Sequence, residues 1–371
     1  MMSERILLAS PHMSDEGFEQ EYVKEAFDTN WIAPLGKNVK EFENAIVEMT
    51  GTKNALALNS GTSAIHLALK AAGVGVDDIV FCQDLTFSAT VNPIMYQGAK
   101  PVFIDSERQT WNMDPKSLEQ AFEKYTPKAV VVVHLYGVSA QIDKIKAICD
   151  EHHVPLIEDA AESLGTIYNG QWTGTFGDYG IYSFNGNKII TTSGGGMLVS
   201  NNEEGILKAR YWATQAREPV LHYEHKDVGY NYRLSNICAG IGRGQLKVLE
   251  ERVAKKNSIF NAYKDGFSEI PEITMLDDQE NERSNHWLSP LLIQSDTITP
   301  KNVIDKLNEA NIESRPVWKP MHLQPVFEQF DFVGSGVSTE LYEQGLCLPS
   351  DTKMTKKEQD RVIEVIQKMW S

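Results

Sequence analysis

From Thr52 to about Ser200 the chain alternates short β-rich runs with stretches of helical periodicity, and this alternation restricts the fold more than any other feature. The runs Ala55–Leu58, Ile79–Cys82, Val102–Ile104, Ala129–Val133, Leu156–Glu158, Gly180–Phe184 and Met197–Ser200 read as strands. Several are apolar at every position, so both of their faces must be covered, as in a mostly parallel sheet. Between the first two, Ser63–Ala72 places Ile65, Leu69 and Ala72 at helical spacing. The expectation is an α/β protein: a large three-layer domain with a mostly parallel sheet, then a smaller C-terminal α+β domain. A long helical pattern over Ser235–Phe260 leads out of the large domain, which sets the division at residues 1–246, with an N-terminal arm, and 247–371. Thr355 and Glu358 form a capping-box pattern ahead of Val362, Ile363, Ile366 and Met369, a well-signalled closing helix.

Composition narrows the partners. A formal net charge of −16 over 371 residues argues against nucleic acid, whose phosphates need clustered Lys and Arg. A few local donors can still hold an anionic small ligand. The four cysteines, Cys82, Cys149, Cys238 and Cys347, lie far apart and read as free thiols in a reducing cytoplasm. The start, MMSERILLAS, lacks the apolar core of a signal peptide, and the run from Ala129 is too short to cross a bilayer. A cytoplasmic protein with no membrane insertion is expected.

Ligands of open α/β sheets bind beyond the carboxyl ends of the strands. At or just past those ends stand Asn59-Ser60-Gly61-Thr62-Ser63, Asp84-Leu85-Thr86-Phe87, Tyr136, Asp159, and Ser183 through Lys188. Gly61, Thr62 and Ser63 have the parts of a phosphate cradle at a helix N-terminus, or of a plain N-cap. Asp159 is suited to stabilising a protonated ring nitrogen, to a metal site with Glu158, or to capping the next helix. Alternation puts Glu158 and Asp159 on opposite faces, against a paired-carboxylate mechanism. Lys188, between a strand and a glycine-rich turn, is either a Schiff-base lysine or a solvated loop lysine. Glu151-His152-His153 lacks zinc-site spacing, and no metal set is read. No GxGxxG follows an early strand, which disfavours a nicotinamide enzyme.

In order, SGTSAIHLAL, DLTFSAT, PVFIDSE, HLYG, PLIEDAAESLG, the SFNGNK block with GGGM, and GYNYRLS resemble the DegT/DnrJ/EryC1/StrS-type sugar aminotransferases among the fold-type I pyridoxal-phosphate enzymes. The stretches SPHMSDEGFEQEYVKEAFDTNWIAPLG and RPVWKPMHLQPVF look closest to enzymes that aminate C4 of a UDP-linked 4-keto-6-deoxy-N-acetylamino sugar in bacillosamine and exopolysaccharide biosynthesis. The resemblance implies pyridoxal 5′-phosphate held covalently by Lys188, with Asp159 paired to its ring nitrogen and Phe87 stacked on its ring. It implies phosphate contacts from Gly61, Thr62 and Ser183, and Glu162 near the ring hydroxyl. Asn231 would reach the phosphate of a neighbouring subunit, making a homodimer with shared sites. His322 matches a contact to the nucleotide-linked sugar or an ordinary loop histidine; Arg233 matches an anion ligand or a structural ion pair. Relatives that dehydrate sugars have lost the lysine, so Lys188 points to transamination with L-glutamate. The rivals are a non-catalytic sugar-nucleotide-binding protein and an enzyme acting on ordinary amino acids.

Overall fold

The computed structural model describes residues 5–370; residues 1–4 and Ser371, the outermost positions of the two expected domains, lie outside the described residues. An eight-stranded sheet forms the centre. Its strands, in chain order, are β1 (Asn54–Leu58), β2 (Ile79–Gln83), β3 (Lys100–Ile104), β4 (Ala129–Val133), β5 (Leu156–Asp159), β8 (Tyr179–Ser183), β9 (Gly196–Ser200) and β14 (Phe332–Val333). Two short strands, β6 (Ile167–Tyr168) and β7 (Gln171–Trp172), form a small sheet with β11 (Glu282–Arg283). The spatial order of the large sheet is β1-β9-β8-β5-β4-β2-β3-β14. Neighbours from β8 to β14 run parallel, and β9 is antiparallel to both β8 and β1.

The apolar runs are explained by the two cores. Val80, Cys82, Val131, Ile157 and Leu198 pack on one face with helix Gly61–Ala71. Phe81, Val130, Val132 and Leu156 pack on the other with helices Pro115–Lys124 and Ile142–Glu151. A strand with both neighbouring positions buried has no polar face, so its sequence does not alternate.

The C-terminal part has a second, antiparallel sheet of β10 (Ile273–Met275), β12 (Ser289–Ile293), β13 (Arg315–Pro316) and β15 (Gly345–Leu348). Its core includes Tyr263, Leu291, Leu307, Leu346 and Val362. The capping box of the last helix is formed, with Thr355 Oγ1 accepting from Glu358 N and Glu358 Oε2 accepting from Thr355 N.

Three features depart from the sequence expectations. The pattern over 235–260 is two helices, Asn236–Leu246 and Leu249–Gly266, separated at Lys247–Val248. The arm assigned to the first domain packs on the second: Ile6 is buried in the C-terminal core and bridges to Ile312, and His12 Nδ1 meets Thr352 Oγ1 at 2.8 Å. Conversely β14, from beyond residue 247, pairs with β3 and extends the large sheet. An apolar residue near a chain end goes to whichever core has room, and local periodicity carries no information about that choice.

Candidate active site

Because β1, β2, β4, β5 and β8 point the same way, their C-terminal ends share one rim. A cavity of about 340 Å³ opens there, bordered by Gly61, Thr62, Thr86, Phe87, Thr90, Asp159, Glu162, Ser183 and Lys188 and by the C-terminal part's Trp287 and Trp318.

At the end of β1, Ser60 caps the helix Gly61–Ala71, its Oγ accepting from Ser63 N at 3.0 Å. The Ser63 hydroxyl donates to Asn59 Oδ1 at 2.6 Å, so Ser63 serves the turn. Gly61 and Thr62 are left bordering the cavity at the start of the helix, where first-turn amides lack intrahelical acceptors. A cap and an anion cradle are therefore compatible here. The cradle is tight: a Cβ on Gly61 would stand 3.3 Å from Ser183 Cβ, and one on Gly196 only 2.3 Å from the Ser60 carbonyl carbon.

Asp159 ends β5 and is only 5% exposed. Its Oδ2 accepts from Thr90 Oγ1 at 2.7 Å and its Oδ1 from Ala161 N at 3.2 Å. Burial pushes this carboxyl up from its ordinary value, while Thr90, Ala161 and Lys188 pull it down. Glu158 faces the other side of the sheet, where its Oε2 pairs with His134 Nε2 at 2.9 Å. The two carboxylates therefore do not share a site.

Lys188 follows a turn in which its N–H donates to Asn185 O at 3.1 Å. Its Nζ lies 3.5 Å from Glu162 Oε1 and 4.0 Å from the centre of the Trp287 ring. The other Glu162 oxygen accepts from Tyr136 N at 2.7 Å. Burial pushes Glu162 up to about 7, with Lys188 opposing the shift. Phe87 is 55% exposed, its ring 5.4 Å from that of Trp318; an aromatic face held open at a cavity is suited to stacking.

These residues fit pyridoxal 5′-phosphate: small and hydroxylic groups at one end, an open aromatic face, a buried carboxylate, and an amine partly enclosed by Trp287. Three sequence candidates lie elsewhere. The His322 ring is tied to buried Asp84, Nδ1 to Oδ2 at 2.7 Å, and does not border the cavity. Arg233 pairs with Glu43 at 3.2 Å, which also holds Arg210 at 3.1 Å. Asn231 borders a separate cleft with Arg210, Arg217 and Arg233. His322 and Arg233 each have an acidic side-chain partner, Asp84 and Glu43. Trp287, Trp318 and Thr90 were not picked out from sequence. Trp318 lies within the stretch RPVWKPMHLQPVF, but no local pattern distinguishes Trp287, which reaches the cavity only through tertiary packing.

The comparisons agree with this chemistry. The DegT/DnrJ/EryC1/StrS aminotransferase family model matches residues 13–367. EpsN of Bacillus subtilis (strain 168), provisionally designated a pyridoxal phosphate-dependent aminotransferase, is 52% identical, covering 98% of this chain and 96% of its own. The GDP-perosamine synthase of Caulobacter vibrioides is 36% identical, covering 98% of each chain. The solved structure of DesI, determined in the presence of its TDP-sugar product, matches with a TM-score of 0.91 at 25% identity, over 98% of this chain and 93% of its own. The large mixed sheet and these neighbours give the fold as that of the fold-type I enzymes. The chain belongs to the DegT/DnrJ/EryC1/StrS aminotransferase family, the pyridoxal-phosphate-dependent sugar aminotransferases.

Proposed function

We propose that the chain transfers the amino group of L-glutamate to C4 of a UDP-linked 4-keto-6-deoxy-N-acetylamino sugar, a precursor for bacterial polysaccharide or glycan. The observation that carries the reading is the Lys188 amine set beside Glu162 and Trp287 in the cavity that also holds Asp159. The finer choice of sugar is supported by the stretches Ser10–Gly36 and Arg315–Phe327, which resemble C4 enzymes acting on UDP-sugars; the second of these supplies Trp318 to the cavity mouth.

Bound pyridoxal 5′-phosphate supplies an electron sink for the carbanion at the carbon that loses its proton. Gly61, Thr62 and Ser183 would hold its phosphate end, Phe87 would cover its ring, and Asp159 would keep the ring nitrogen protonated. Lys188 Nζ removes the Cα proton of L-glutamate in one half-reaction and delivers a proton to the sugar carbon in the other. Glu162, with its carboxyl at about 7, can exchange a proton with Lys188 between the halves. Trp287, Trp318 and Phe87 border the cavity in which that transfer would take place.

The active unit in this reading is a cytoplasmic homodimer. Val220, Leu221, Tyr223 and Val228 are exposed close to Asn231 in sequence, an apolar segment suited to covering by a second copy that would receive Asn231 at its phosphate site. The four cysteines are free, and no helix of the described residues is long and apolar enough to cross a membrane. In this reading the chain divides near residue 247 into cofactor-binding and smaller domains, with β14 and the N-terminal arm exchanged across that division.

The test is the visible spectrum of the purified protein during successive additions. A yellow protein that L-glutamate bleaches and the UDP-keto-sugar restores supports both half-reactions. Recovery only with a GDP- or TDP-linked keto-sugar moves the substrate and keeps the reaction. A protein left colourless by added pyridoxal phosphate overturns the reading.

A further inference from the structure

Behind Asp159 lies a short chain of hydroxyl groups. Thr90 Oγ1 is 2.7 Å from Asp159 Oδ2, and Thr86 Oγ1 is 2.7 Å from Thr90 Oγ1. Both threonines follow β2, Thr86 immediately before Phe87 and Thr90 at the end of the single turn Ser88–Thr90. Both are buried, at 0% and 1% exposure, and both border the cavity. The segment that presents the Phe87 ring thus also reaches the carboxylate.

The proton count gives this chain a direction. An ionised carboxylate only accepts hydrogen bonds, so Thr90 must donate to Asp159. The Thr90 oxygen is then available to accept from Thr86. Thr86 to Thr90 to Asp159 is a run of aligned donors, each polarising the next. Protonation of Asp159 would remove the demand that fixes this direction. Among the charged groups around Asp159, Lys188 and His134 favour its ionisation, and the carboxylate in turn raises Glu162. Burial is the largest influence on Asp159 and opposes its ionisation; the Thr90 bond is the foremost counterweight, ahead of the Ala161 amide and Lys188.

We propose that Thr90, backed by Thr86, is a positioning residue that keeps Asp159 ionised and aimed for the ring nitrogen of the cofactor. The inference rests on the reading of Asp159 given under the proposed function. It concerns a hydroxyl in the segment carrying Phe87, with no expected contact to the sugar or to Lys188. Its signature is therefore selective. Removing the hydroxyl should weaken recognition of the ring nitrogen and leave the phosphate cradle and the stacking face unchanged.

The experiment compares two ligands on the apoprotein: pyridoxal 5′-phosphate and its 1-deaza analogue, in which a carbon replaces the ring nitrogen. Dissociation constants are read from quenching of tryptophan fluorescence, since Trp287 and Trp318 border the cavity. The quantity of interest is the preference for the natural ligand over the analogue. Asp159→Ala should abolish most of that preference. Thr90→Val should reduce it about tenfold or more, the usual worth of a hydrogen bond to a charged group. Its affinity for the analogue should stay within about twofold of wild type, as expected where the altered interaction is absent. Thr90→Ser should restore the preference, and Thr86→Val should lower it by a smaller factor.

An equal loss for both ligands in Thr90→Val would mean a merely structural role and overturn the proposal. So would an unchanged preference in Thr90→Val beside a collapsed one in Asp159→Ala, a result that leaves the reading of Asp159 intact. An unchanged preference in Asp159→Ala overturns both. Should Thr90→Val fail to fold, Thr86→Val decides, and a fully preserved preference there overturns the proposal.

Discussion

The Lys188 amine sits 4.0 Å from the centre of the Trp287 ring, and the nitrogen of the same ring donates at 2.7 Å to the carbonyl of Asn187. One side chain from the C-terminal part thus meets the amine of the lysine and also the backbone just before it. Trp287→Phe keeps an aromatic face and removes the donor to Asn187. Initial rates should show kcat lowered on the order of tenfold, the loss expected from one buried hydrogen bond and a weakened ring–cation contact. The KM for the keto-sugar should change less than kcat. An unaltered kcat would show that the indole is only filling space.

Lys188→Ala should lower turnover by about a thousandfold or more, within the range of a positioned proton-transfer group. Retained turnover in single-turnover assays would take the lysine out of its role.

Much of this site was legible from the sequence because its parts follow predictable strand ends. Asp159, Ser183 and Gly61 are reached by counting to where an apolar run stops, and all three border the cavity. The opposite orientation of Glu158 followed from strand alternation alone, and Glu158 does face His134 on the far side. His322 and Arg233 are different. Their fate depends on Asp84 and Glu43, partners distant in sequence, and periodicity carries no record of which acid a base will meet. Trp287 was missed for the same reason. The Ile6 arm and β14 show the matching limit for the fold, since each crosses to the core that its sequence position does not suggest.

Gly196 begins β9, and its Cα lies so close to the turn before Gly61 that an added Cβ would fall 2.3 Å from Ser60 C and 2.5 Å from Gly61 N. Both obstacles are backbone and cannot rotate away. Gly196→Ala must therefore displace the start of helix Gly61–Ala71, where the phosphate is expected to sit. Affinity for pyridoxal phosphate should fall about tenfold or more, with a stability cost on the order of 1–3 kcal/mol from overpacking. Titration of the apoprotein with inorganic phosphate as competitor checks it; unchanged affinity would place the phosphate elsewhere.

Lys256 and Glu162 make opposite predictions for the stability of the apoprotein against pH. Lys256 is 3% exposed, its ammonium donating to Trp287 O at 2.8 Å and Ser350 Oγ at 3.0 Å. Burial lowers it from 10.5 to about 7, with Asp351 opposing. Between those two values the unfolded chain binds more protons at this residue, so its contribution to stability rises with pH above 7 and is lost as pH falls through 7. Glu162 is raised from 4.5 to about 7, chiefly by burial. There the folded state binds the extra proton, so its contribution is fully present below 4.5 and is lost as pH rises through 7. Each slope is at most about 1.4 kcal/mol per pH unit. Urea unfolding of wild type, Lys256→Met and Glu162→Gln from pH 5 to 9 separates them. The stability of wild type relative to Lys256→Met should climb above pH 7, and relative to Glu162→Gln it should fall between pH 5 and 7. A flat difference in either comparison would mean that the buried group titrates near its ordinary value, and for Glu162 it would remove the proton exchange with Lys188 on which its part in the mechanism depends.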